Sequence, residues 1–291
     1  MDDIRLRAYA KINLFLEIIG KRLDGYHNLE TVFQSVDLHD LLVIRPTHRR
    51  PEQNYIQCDH PAVPTDANNL VWKAITLLQT HYPQINGIEI GIQKRIPVAA
   101  GLGGGSANAA AVLFGLNHLY DLRLSDDDLR RFGCQLGADV PFFFMGGTAL
   151  GEGIGNQLTP LNPLPEVEVV LANSGVRIST PWVYQQLELP LTVENRDVRI
   201  VRQFIEHGDL QNLGANMFNR LETPVFANYP ELERLKQVLV RECAYGALMS
   251  GSGATLFALA ADKSQARQLA GSLQCDLVLC TRTTSAGLEV A

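Results

Sequence analysis

A glycine-rich loop that runs directly into an alanine-rich segment is the first place where this sequence has residues suited to chemistry. Gly101, Gly103, Gly104 and Gly105 precede Ser106 and a run of alanines. Glycine permits positive φ angles and close approach of the backbone to a ligand, while a helix N-terminus offers unpaired N–H groups and partial positive charge. The junction therefore predicts a site for phosphate or another anion. The alternative is an ordinary turn into a packed helix.

The loop has the spacing of neither common nucleotide-binding fingerprint. No Gly-Lys-Ser/Thr follows it, and Ser106 takes the place of the last glycine in a G-x-G-x-x-G pattern that begins at Gly101. A P-loop and a Rossmann dinucleotide site are therefore disfavoured. The loop alone therefore does not indicate the function, and other parts of the chain have to be considered.

A second glycine cluster, Ser250-Gly251-Ser252-Gly253, lies towards the C-terminus. Short Gly-Ser connections are common in β-hairpins, so a plain turn is one interpretation. The other is a second set of backbone N–H groups that faces phosphate. That second interpretation requires both loops to line the same cleft.

Two charged residues interrupt apolar runs, and together they have the chemistry of a base and its cationic partner. Lys11 lies with Asn13 in an otherwise apolar strand, and Asp139 precedes a bulky apolar run that begins at Val140. A lone strand lysine usually extends to solvent, and an aspartate before such a run is typically a helix N-cap. If the two residues meet, the lysine would hold the carboxylate ionised for general-base work.

The pattern of apolar residues predicts a strand-rich first part with the glycine loop placed between a strand and a helix. Ser125 followed by Asp128 predicts a capping box at the start of one helix. A further short strand is expected after Gly147. The predicted strands are 4–10, 12–19, 29–38, 41–45 and 88–94, and the predicted helices are 70–82, 106–120 and 126–136.

A proline-rich segment at 160–165 predicts a boundary between two domains, residues 1–160 and 161–291. With additional helices set aside, the second part has the order β-α-β-β-α-β, which is the ferredoxin-like plan. The fold class is therefore α+β. The predicted strands are 167–172, 247–250, 255–260 and 277–282, and the predicted helices are 181–187, 198–207, 210–222, 231–243 and 264–273.

Composition narrows the class of protein. The chain has 291 residues, 46% of them hydrophobic, which is ample for packed cores. A net charge of −6 and a single short basic run at 48–50, expected to be a solvated turn, give no footprint for nucleic acid. Five cysteines without a C-x-x-C pair indicate neither a disulfide framework nor a zinc site. We read no signal peptide and no membrane span and expect a cytoplasmic protein; the oligomeric state stays open.

Four ordered motifs between residues 10 and 255 resemble the GHMP kinase superfamily of small-molecule kinases. They are residues 10–14, the loop from 97 to 110, residues 137–141 and the cluster 250–253. The resemblance implies an N-terminal α/β domain that binds ATP, a C-terminal ferredoxin-like domain, and an active site in the cleft between them. It implies that ATP is held by Pro97, Val98, Ala99, Ala100, Gly101, Leu102, Gly103, Gly104, Gly105, Ser106 and Ala107.

The resemblance also implies roles for the charged residues. Asp139 would accept or orient the proton of a substrate hydroxyl, and Lys11 would keep Asp139 ionised and offset charge on the transferred phosphoryl group. Ser106 is a candidate for contact with Mg²⁺ or phosphate, the alternative being a helix cap. Ala107 stands where relatives often have serine, and backbone donors should still suffice.

Within the superfamily, residues 20–27 and the triple-glycine loop resemble the branch that acts on a cytidyl diphosphate substrate of isoprenoid precursor biosynthesis. This implies contacts to the base from Tyr26 and His27 and a stacking ring at Tyr184, although Trp182 is close in sequence. The other implied substrate-binding residues are Asn13, Gly251, Ser252 and Gly253.

Two further hypotheses stay open. One is a GHMP kinase for homoserine, mevalonate or a sugar, which needs no stacking ring at the position of Tyr26. The other is a non-catalytic nucleotide sensor on the same fold, which could lose Lys11 and Asp139 freely.

Overall fold

The computed structural model describes residues 3–47, 53–187 and 196–291. Two β-sheets and the helices packed on them make up most of these residues. The basic run at 48–50 lies outside the described residues. In the described part of the chain, no helix combines the length and apolar character needed to cross a membrane.

Two long antiparallel strands form the centre of the first sheet. They are β1 (Ile4–Lys21) and β2 (His27–Pro46), which pair over nearly their whole length. The sequence predicts two strands in each segment, whereas the structure has one continuous strand with shifts of register on both sides of residues 11–13. Such bulges let pairing continue through a local change of twist. The polar residues that divide the apolar pattern therefore lie inside an unbroken strand.

Shorter strands extend this sheet on both parts of β2. One strand pairs with its C-terminal part and another with its N-terminal part, and each of these has one further neighbour. The neighbours were not predicted, because each is only four residues long. The four strands are β3 (Tyr55–Cys58), β4 (Ile88–Gln93), β5 (Thr148–Glu152) and β6 (Gln157–Pro160).

Helices cover one face of the first sheet and share a hydrophobic core with it. They are α1 (Leu70–His81), α2 (Gly104–Leu119), α3 (Asp126–Leu136) and the single turn α4 (Phe142–Met145). The capping box at α3 is confirmed, since the Ser125 hydroxyl accepts from the Asp128 N–H and the Asp128 carboxylate accepts from the Ser125 N–H. The predicted order of strand, glycine loop and helix is confirmed as well.

The chain then forms an inner strand and a series of helices before it returns to the sheet. These elements are β7 (Glu168–Asn173), α5 (Thr180–Gln185), α6 (Val198–His207), α7 (Leu210–Asn216), β8 (Phe218–Asn219), α8 (Glu222–Asn228) and α9 (Pro230–Glu242).

The predicted helix at 210–222 is wrong. The chain leaves helical geometry after α7, forms β8 and pairs it in parallel with residues 15 and 16 of β1 before α8 begins. The Asn219 side chain explains the break, because it donates to the carbonyls of Met249 and Gly251 and accepts from the Leu221 N–H. These tertiary bonds outweigh the helical propensity of the segment.

The second sheet is completed by β9 (Gly246–Met249), β10 (Leu256–Ala260) and β11 (Leu277–Arg282), with α10 (Lys263–Ser272) between the last two. Its order is β11-β7-β10-β9 and all pairs are antiparallel. With the β-α-β-β-α-β order along the chain, this is the ferredoxin-like arrangement that the sequence predicts.

The two sheets share apolar contacts. Ile12 and Leu14 of β1 belong to the same buried cluster as Val169 of β7 and Phe257 of β10. A last strand, β12 (Leu288–Val290), returns to the first sheet and pairs with β1. The proposed boundary at 160/161 stays a prediction. All four strands of the second sheet follow it, as a boundary there requires, but β8 and β12 also follow it and join the first sheet.

We predict that a methyl group at Gly214 destabilises the fold. This residue of α7 lies so close to the start of β9 that an added Cβ would be 2.0 Å from the Tyr245 carbonyl oxygen. Gly214→Ala should lower the free energy of unfolding by about 1–3 kcal/mol, as overpacking does. Urea denaturation followed by circular dichroism measures the change.

Gly271 of α10 is the matched control, because no atom of the described residues lies within 4 Å of an added Cβ there. Gly271→Ala should leave stability unchanged or raise it by about 0.5–1 kcal/mol, the helix preference of alanine over glycine. Equal stabilities of the two variants would contradict the close packing of α7 against β9.

Candidate active site

A cleft of about 930 Å³ is lined by residues from both halves of the chain. Its walls include β1, the glycine loop before α2, the turn before α4, the start of α5 and the connection between β9 and β10. Candidate residues that are far apart in sequence therefore meet in one cavity. The predicted site residues that line it are Lys11, Asn13, Tyr26, His27, Pro97, Val98, Ala99, Ala100, Gly101, Gly103, Gly104, Gly105, Ser106, Asp139, Tyr184, Gly251, Ser252 and Gly253.

The glycine loop has the backbone geometry of an anion site. Gly101 and Gly103 have φ angles of 78° and 73°, and Gly103 is the N-cap of the 16-residue helix α2. The first helical bond runs from the Ala107 N–H to the Gly103 carbonyl, so the three preceding N–H groups have no acceptor within the helix. No acidic side chain lies in this first turn. The helix end therefore offers donors and positive potential to the cleft.

Ser106 is the third residue of α2 and not its cap. Its half-buried side chain lines the cleft, which leaves the hydroxyl available to a ligand. Two other predicted loop residues do not line the cleft. Leu102 and Ala107 are 1% and 0% exposed and pack in the hydrophobic core, because the loop has to anchor itself to the sheet and to α2.

The second glycine cluster is a hairpin connection, as the first interpretation predicts. It lines the same cleft as the first loop, which is the condition that the second interpretation requires. The Ser250 hydroxyl donates to the Gly101 carbonyl at 2.9 Å, and an added Cβ on Gly101 would lie 2.1 Å from the Ser250 carbonyl oxygen. Gly251 has a φ of 55°, and a Cβ there would lie 3.3 Å from the Lys11 ammonium. The two loops contact each other beside Lys11.

Lys11 does not extend to solvent: its side chain is 4% exposed. The ammonium donates to Asn13 Oδ1 at 2.6 Å and lies 3.6 Å from Asp139 Oδ2. Its methylene stem packs on Gly103, where an added Cβ would be 3.1 Å from Lys11 Cγ. Burial lowers the pKa of Lys11, while the Asp139 carboxylate opposes that shift. The result is a buried cation with an oxygen partner on each of two elements.

Asp139 lies in the turn between α3 and α4, and the N-cap of α4 is Pro141. The side chain faces the cleft, is 35% exposed and forms an ion pair with Lys11. Buried neighbours hold the turn in place, since Val140 and Phe142 are both 0% exposed. A helix cap is therefore not what this carboxylate provides. It faces the cavity beside a fixed cation.

Aromatic side chains form the other end of the cleft. The His27 and Tyr184 rings lie 5.3 Å apart at 35°, and Tyr26 is 62% exposed at the cleft wall. Trp182 instead packs edge-on against Tyr229 at 5.8 Å, so the geometry favours Tyr184 over Trp182 as the ring that faces a ligand.

Burial and the nearby Lys21 charge lower the pKa of His27, so its imidazole is neutral at pH 7 and has one donor and one acceptor. Burial and the Asp139 charge raise the pKa of Tyr184, which stays a phenol. Two neutral rings with polar edges suit a flat, polar ligand such as a nucleobase.

Lys94 was not predicted as a site residue. Its side chain is 5% exposed and lines the cleft beside α2. An added Cβ on Gly104 would lie 2.9 Å from its ammonium, which is held by Asp40 Oδ2 at 2.8 Å. Burial lowers the pKa of Lys94, and Asp40 opposes the shift. The available signal was a basic residue three positions before Pro97, where the glycine-rich loop begins. It places a second cation at the helix N-terminus.

Asn108 was missed for another reason, because it lies within the alanine-rich helix. It is 3% exposed and lines the cleft, and its buried Oδ1 has no hydrogen-bond partner among the described residues. Buried polar atoms are usually satisfied, so this unpaired acceptor is unusual.

Among the described residues, no group of three or more His, Cys, Asp or Glu side chains could hold a metal ion. A metal bound by protein ligands alone does not fit this donor set. The Ser106 hydroxyl and the Asp139 carboxylate are oxygen donors of the kind that complete the coordination of a phosphate-bound Mg²⁺.

Two family models match the chain. The model described as GHMP kinases N terminal domain matches residues 69–147, and the one described as GHMP kinases C terminal matches residues 201–278. Together they span more than half of the chain and fall on opposite sides of the proline-rich segment. The glycine loop and Asp139 lie in the first match, and Asn219 and the second glycine loop lie in the second.

Curated relatives are similar over nearly the full length. A 4-diphosphocytidyl-2-C-methyl-D-erythritol kinase from Thermosynechococcus vestitus is 47% identical, with 88% of this chain and 87% of that protein aligned. The kinase of the same name from Lachnoclostridium phytofermentans is 43% identical, with 89% and 88% aligned.

Solved structures show the same relationship. A crystal structure of 4-(cytidine 5'-diphospho)-2C-methyl-D-erythritol kinase superposes with a TM-score of 0.80 at 34% identity and covers 96% of this chain and 99% of that one. A homoserine kinase from Cytophaga hutchinsonii shares the fold, with a TM-score of 0.79 at 20% identity over 100% and 98% of the two chains. The chain is a small-molecule kinase, and it belongs to the 4-diphosphocytidyl-2-C-methyl-D-erythritol kinase family within the GHMP kinases.

Proposed function

We propose that this chain transfers the γ-phosphoryl group of ATP to the 2-hydroxyl of 4-diphosphocytidyl-2-C-methyl-D-erythritol, a step of non-mevalonate isoprenoid precursor biosynthesis. The observation that carries the proposal is the ion pair of the buried Lys11 with the partly exposed Asp139, which lines the same cleft as the glycine loops and the aromatic side chains. A phosphate donor, an alcohol and a nucleobase can occupy such a cleft together. The named relatives supply the identity of the alcohol.

Asp139 is the base in this mechanism. Its exposed carboxylate accepts the proton of the substrate hydroxyl as that oxygen forms a bond to the γ-phosphorus, and the bond between the γ-phosphorus and the β-bridging oxygen breaks to release ADP. Lys11 offsets the negative charge that spreads over the transferred group, as a fixed cation does in phosphoryl transfer. Because Lys11 is already buried and held by Asn13, little reorganisation accompanies the step.

The end of the cleft at α2 is the proposed site of the ATP phosphates. The N–H groups of Gly104, Gly105 and Ser106 and the end of the helix dipole favour anions, and Lys94 adds a buried cation. Gly105 is exposed there, and an added Cβ would make an ordinary van der Waals contact with Leu70 Cδ1 at 3.8 Å. Backbone can therefore approach phosphate closely without a side chain in the way.

Mg²⁺ is proposed as the metal that accompanies ATP. Mg²⁺ is usually bound by phosphates, waters and one or two protein oxygens, so the Ser106 hydroxyl would be a sufficient protein donor. Bound to the phosphates, it would neutralise part of their charge.

The aromatic end of the cleft is the proposed site of cytosine. Tyr184 and Tyr26 offer ring faces, and the neutral His27 offers one donor and one acceptor to the base edge. The same end distinguishes this proposal from a homoserine, mevalonate or sugar kinase, whose substrates have no base to stack. The Lys11–Asp139 ion pair argues against a non-catalytic nucleotide sensor.

We place the enzyme in a reducing cytoplasm, since its five cysteines are free thiols.

We expect ADP release in a coupled assay with the cytidyl diphosphate substrate and none above background with homoserine or mevalonate. Turnover of homoserine or mevalonate instead would refute the proposed substrate.

Asp139→Asn keeps the shape of the side chain and removes its basicity, so kcat should fall by about 10²- to 10⁴-fold while substrate affinity changes little. An Asp139→Asn enzyme with a third of the normal kcat would refute the proposed base.

The pH dependence of kcat/KM should show the titration of the buried Lys11 ammonium. Lys11 is charged below its pKa and loses its proton as the pH rises through that value, which burial brings below the ordinary 10.5. The kcat/KM of the wild type should therefore decline on the alkaline side below pH 10.5. Lys11→Arg keeps a charge throughout this range, so its lower kcat/KM should show no such decline.

Thermal melting at each pH separates titration from unfolding in this comparison. Identical alkaline declines in two folded enzymes would show that another group titrates.

Stacking on Tyr26 should contribute to substrate binding. Tyr26→Ala removes the ring and should raise KM for the cytidyl diphosphate substrate with little effect on KM for ATP; stacking of a base on an aromatic ring is worth about 1–3 kcal/mol. Tyr26→Phe retains the ring and is the matched control, expected to have a nearly normal KM. If alanine and phenylalanine at this position give the same KM, Tyr26 does not stack on the base.

A further inference from the structure

A chain of buried hydrogen bonds connects Lys11 to the strand next to it. The Lys11 ammonium donates to Asn13 Oδ1, Asn13 Nδ2 donates to Thr31 Oγ1 at 2.8 Å, and Thr31 Oγ1 donates to the Phe15 carbonyl at 2.7 Å. The exposed fractions of Lys11, Asn13 and Thr31 are 3%, 2% and 1%. The proposed catalytic cation is thus connected to a hydroxyl group for which no role has been assigned.

The direction of each bond in this chain is fixed by chemistry. An ammonium group only donates, so Asn13 has to face Lys11 with its oxygen and Thr31 with its NH₂ group. The Thr31 hydroxyl therefore accepts from Asn13 and has one hydrogen left, which it donates to the Phe15 carbonyl. With the amide turned by 180°, an NH₂ group would face the ammonium and two donors would oppose each other.

Thr31 is held firmly enough to orient the amide of Asn13. Its backbone is in register with Leu16 of β1 on one side and with Gly151 of β5 on the other. An added Cβ on Gly151 would lie 3.1 Å from Thr31 Cγ2, so the side chain is closely packed as well. Because Thr31 is held between two neighbouring strands, its hydroxyl can determine the orientation of the more flexible Asn13 side chain.

We propose that Thr31 is a positioning residue for phosphoryl transfer: its hydroxyl sets the orientation of the Asn13 amide, which in turn holds the Lys11 ammonium 3.6 Å from Asp139. The effect reaches the reaction through Lys11, not through contact of Thr31 with the phosphoryl group. The inference rests on the roles proposed above for Lys11 and Asp139.

Two pairs of variants isolate the hydroxyl. Thr31→Val differs from threonine, and Thr31→Ala from Thr31→Ser, chiefly by the loss of that group. We expect kcat to fall at least tenfold within each pair, with KM for ATP within twofold, and Thr31→Ser to keep kcat within threefold of the wild type. Equal kcat values within the pairs would overturn the proposal. If valine does not fold, the serine and alanine enzymes give the same test.

Thr148→Val is the matched control for loss of a buried hydroxyl. Thr148 lies on β5, is 4% exposed and donates to the Gln34 side chain at 2.6 Å, but does not line the cleft. This variant should lower the melting temperature and leave kcat unchanged. An equal fall of kcat in Thr148→Val and Thr31→Val would make the effect one of stability and refute a positioning role.

Crystal structures of Thr31→Val and Thr31→Ser test the inference without turnover. The Lys11–Asp139 distance and the Asn13 side chain should change in the valine protein and not in the serine protein. Unchanged Lys11 and Asn13 positions in Thr31→Val would overturn the positioning role even if the proposed substrate proved wrong. A wild-type enzyme inactive on that substrate would refute the proposed function alone.

Discussion

Burial of the Lys11 ammonium costs free energy that nearby oxygen atoms and the Phe33 ring, 5.6 Å away, offset. Asn13 provides one oxygen from the same strand, and Asp139 provides another from the turn before α4. Because Asp139 is 35% exposed and Lys11 only 4%, the carboxylate is the more accessible partner of the ion pair. A substrate hydroxyl can therefore reach the proposed base while the cation stays largely shielded from water.

The burial of Lys11 also explains why glycines occur in both loops. Gly103 leaves room for the methylene stem of Lys11, and Gly251 leaves room for its ammonium. The loops are joined directly, because the Ser250 hydroxyl and the Thr255 N–H donate to carbonyls of residues 101 and 100. Side chains at these glycines would separate the two loops or displace the lysine. The loop that is proposed to hold phosphate is therefore also part of the enclosure of the proposed catalytic cation.

Local signals in the sequence predicted the elements that carry their own caps and periodicity. The helix Asp126–Leu136 has its capping box, the helix Val198–His207 begins after the Asp197 side-chain cap, and both match the predicted bounds. The glycine loop was also found from local chemistry. Two contacts between distant residues were not predicted: Lys94 meets Asp40 54 residues away, and Ser250 meets Gly101 149 residues away. No periodicity encodes such pairs.

The wrong helix at 210–222 shows what decides such a segment. Local propensity favours a helix there, but Asn219 bonds the carbonyls of Met249 and Gly251 and thereby fixes the second glycine loop from behind. The next turn adds a further bond, because Glu222 accepts the Met249 N–H and is itself paired with Lys236. A continuous helix would remove these bonds and leave the loop beside Lys11 unsupported. The break in the helix is therefore a requirement of the site, since a loop without side chains at 251 and 253 cannot hold its own position by packing.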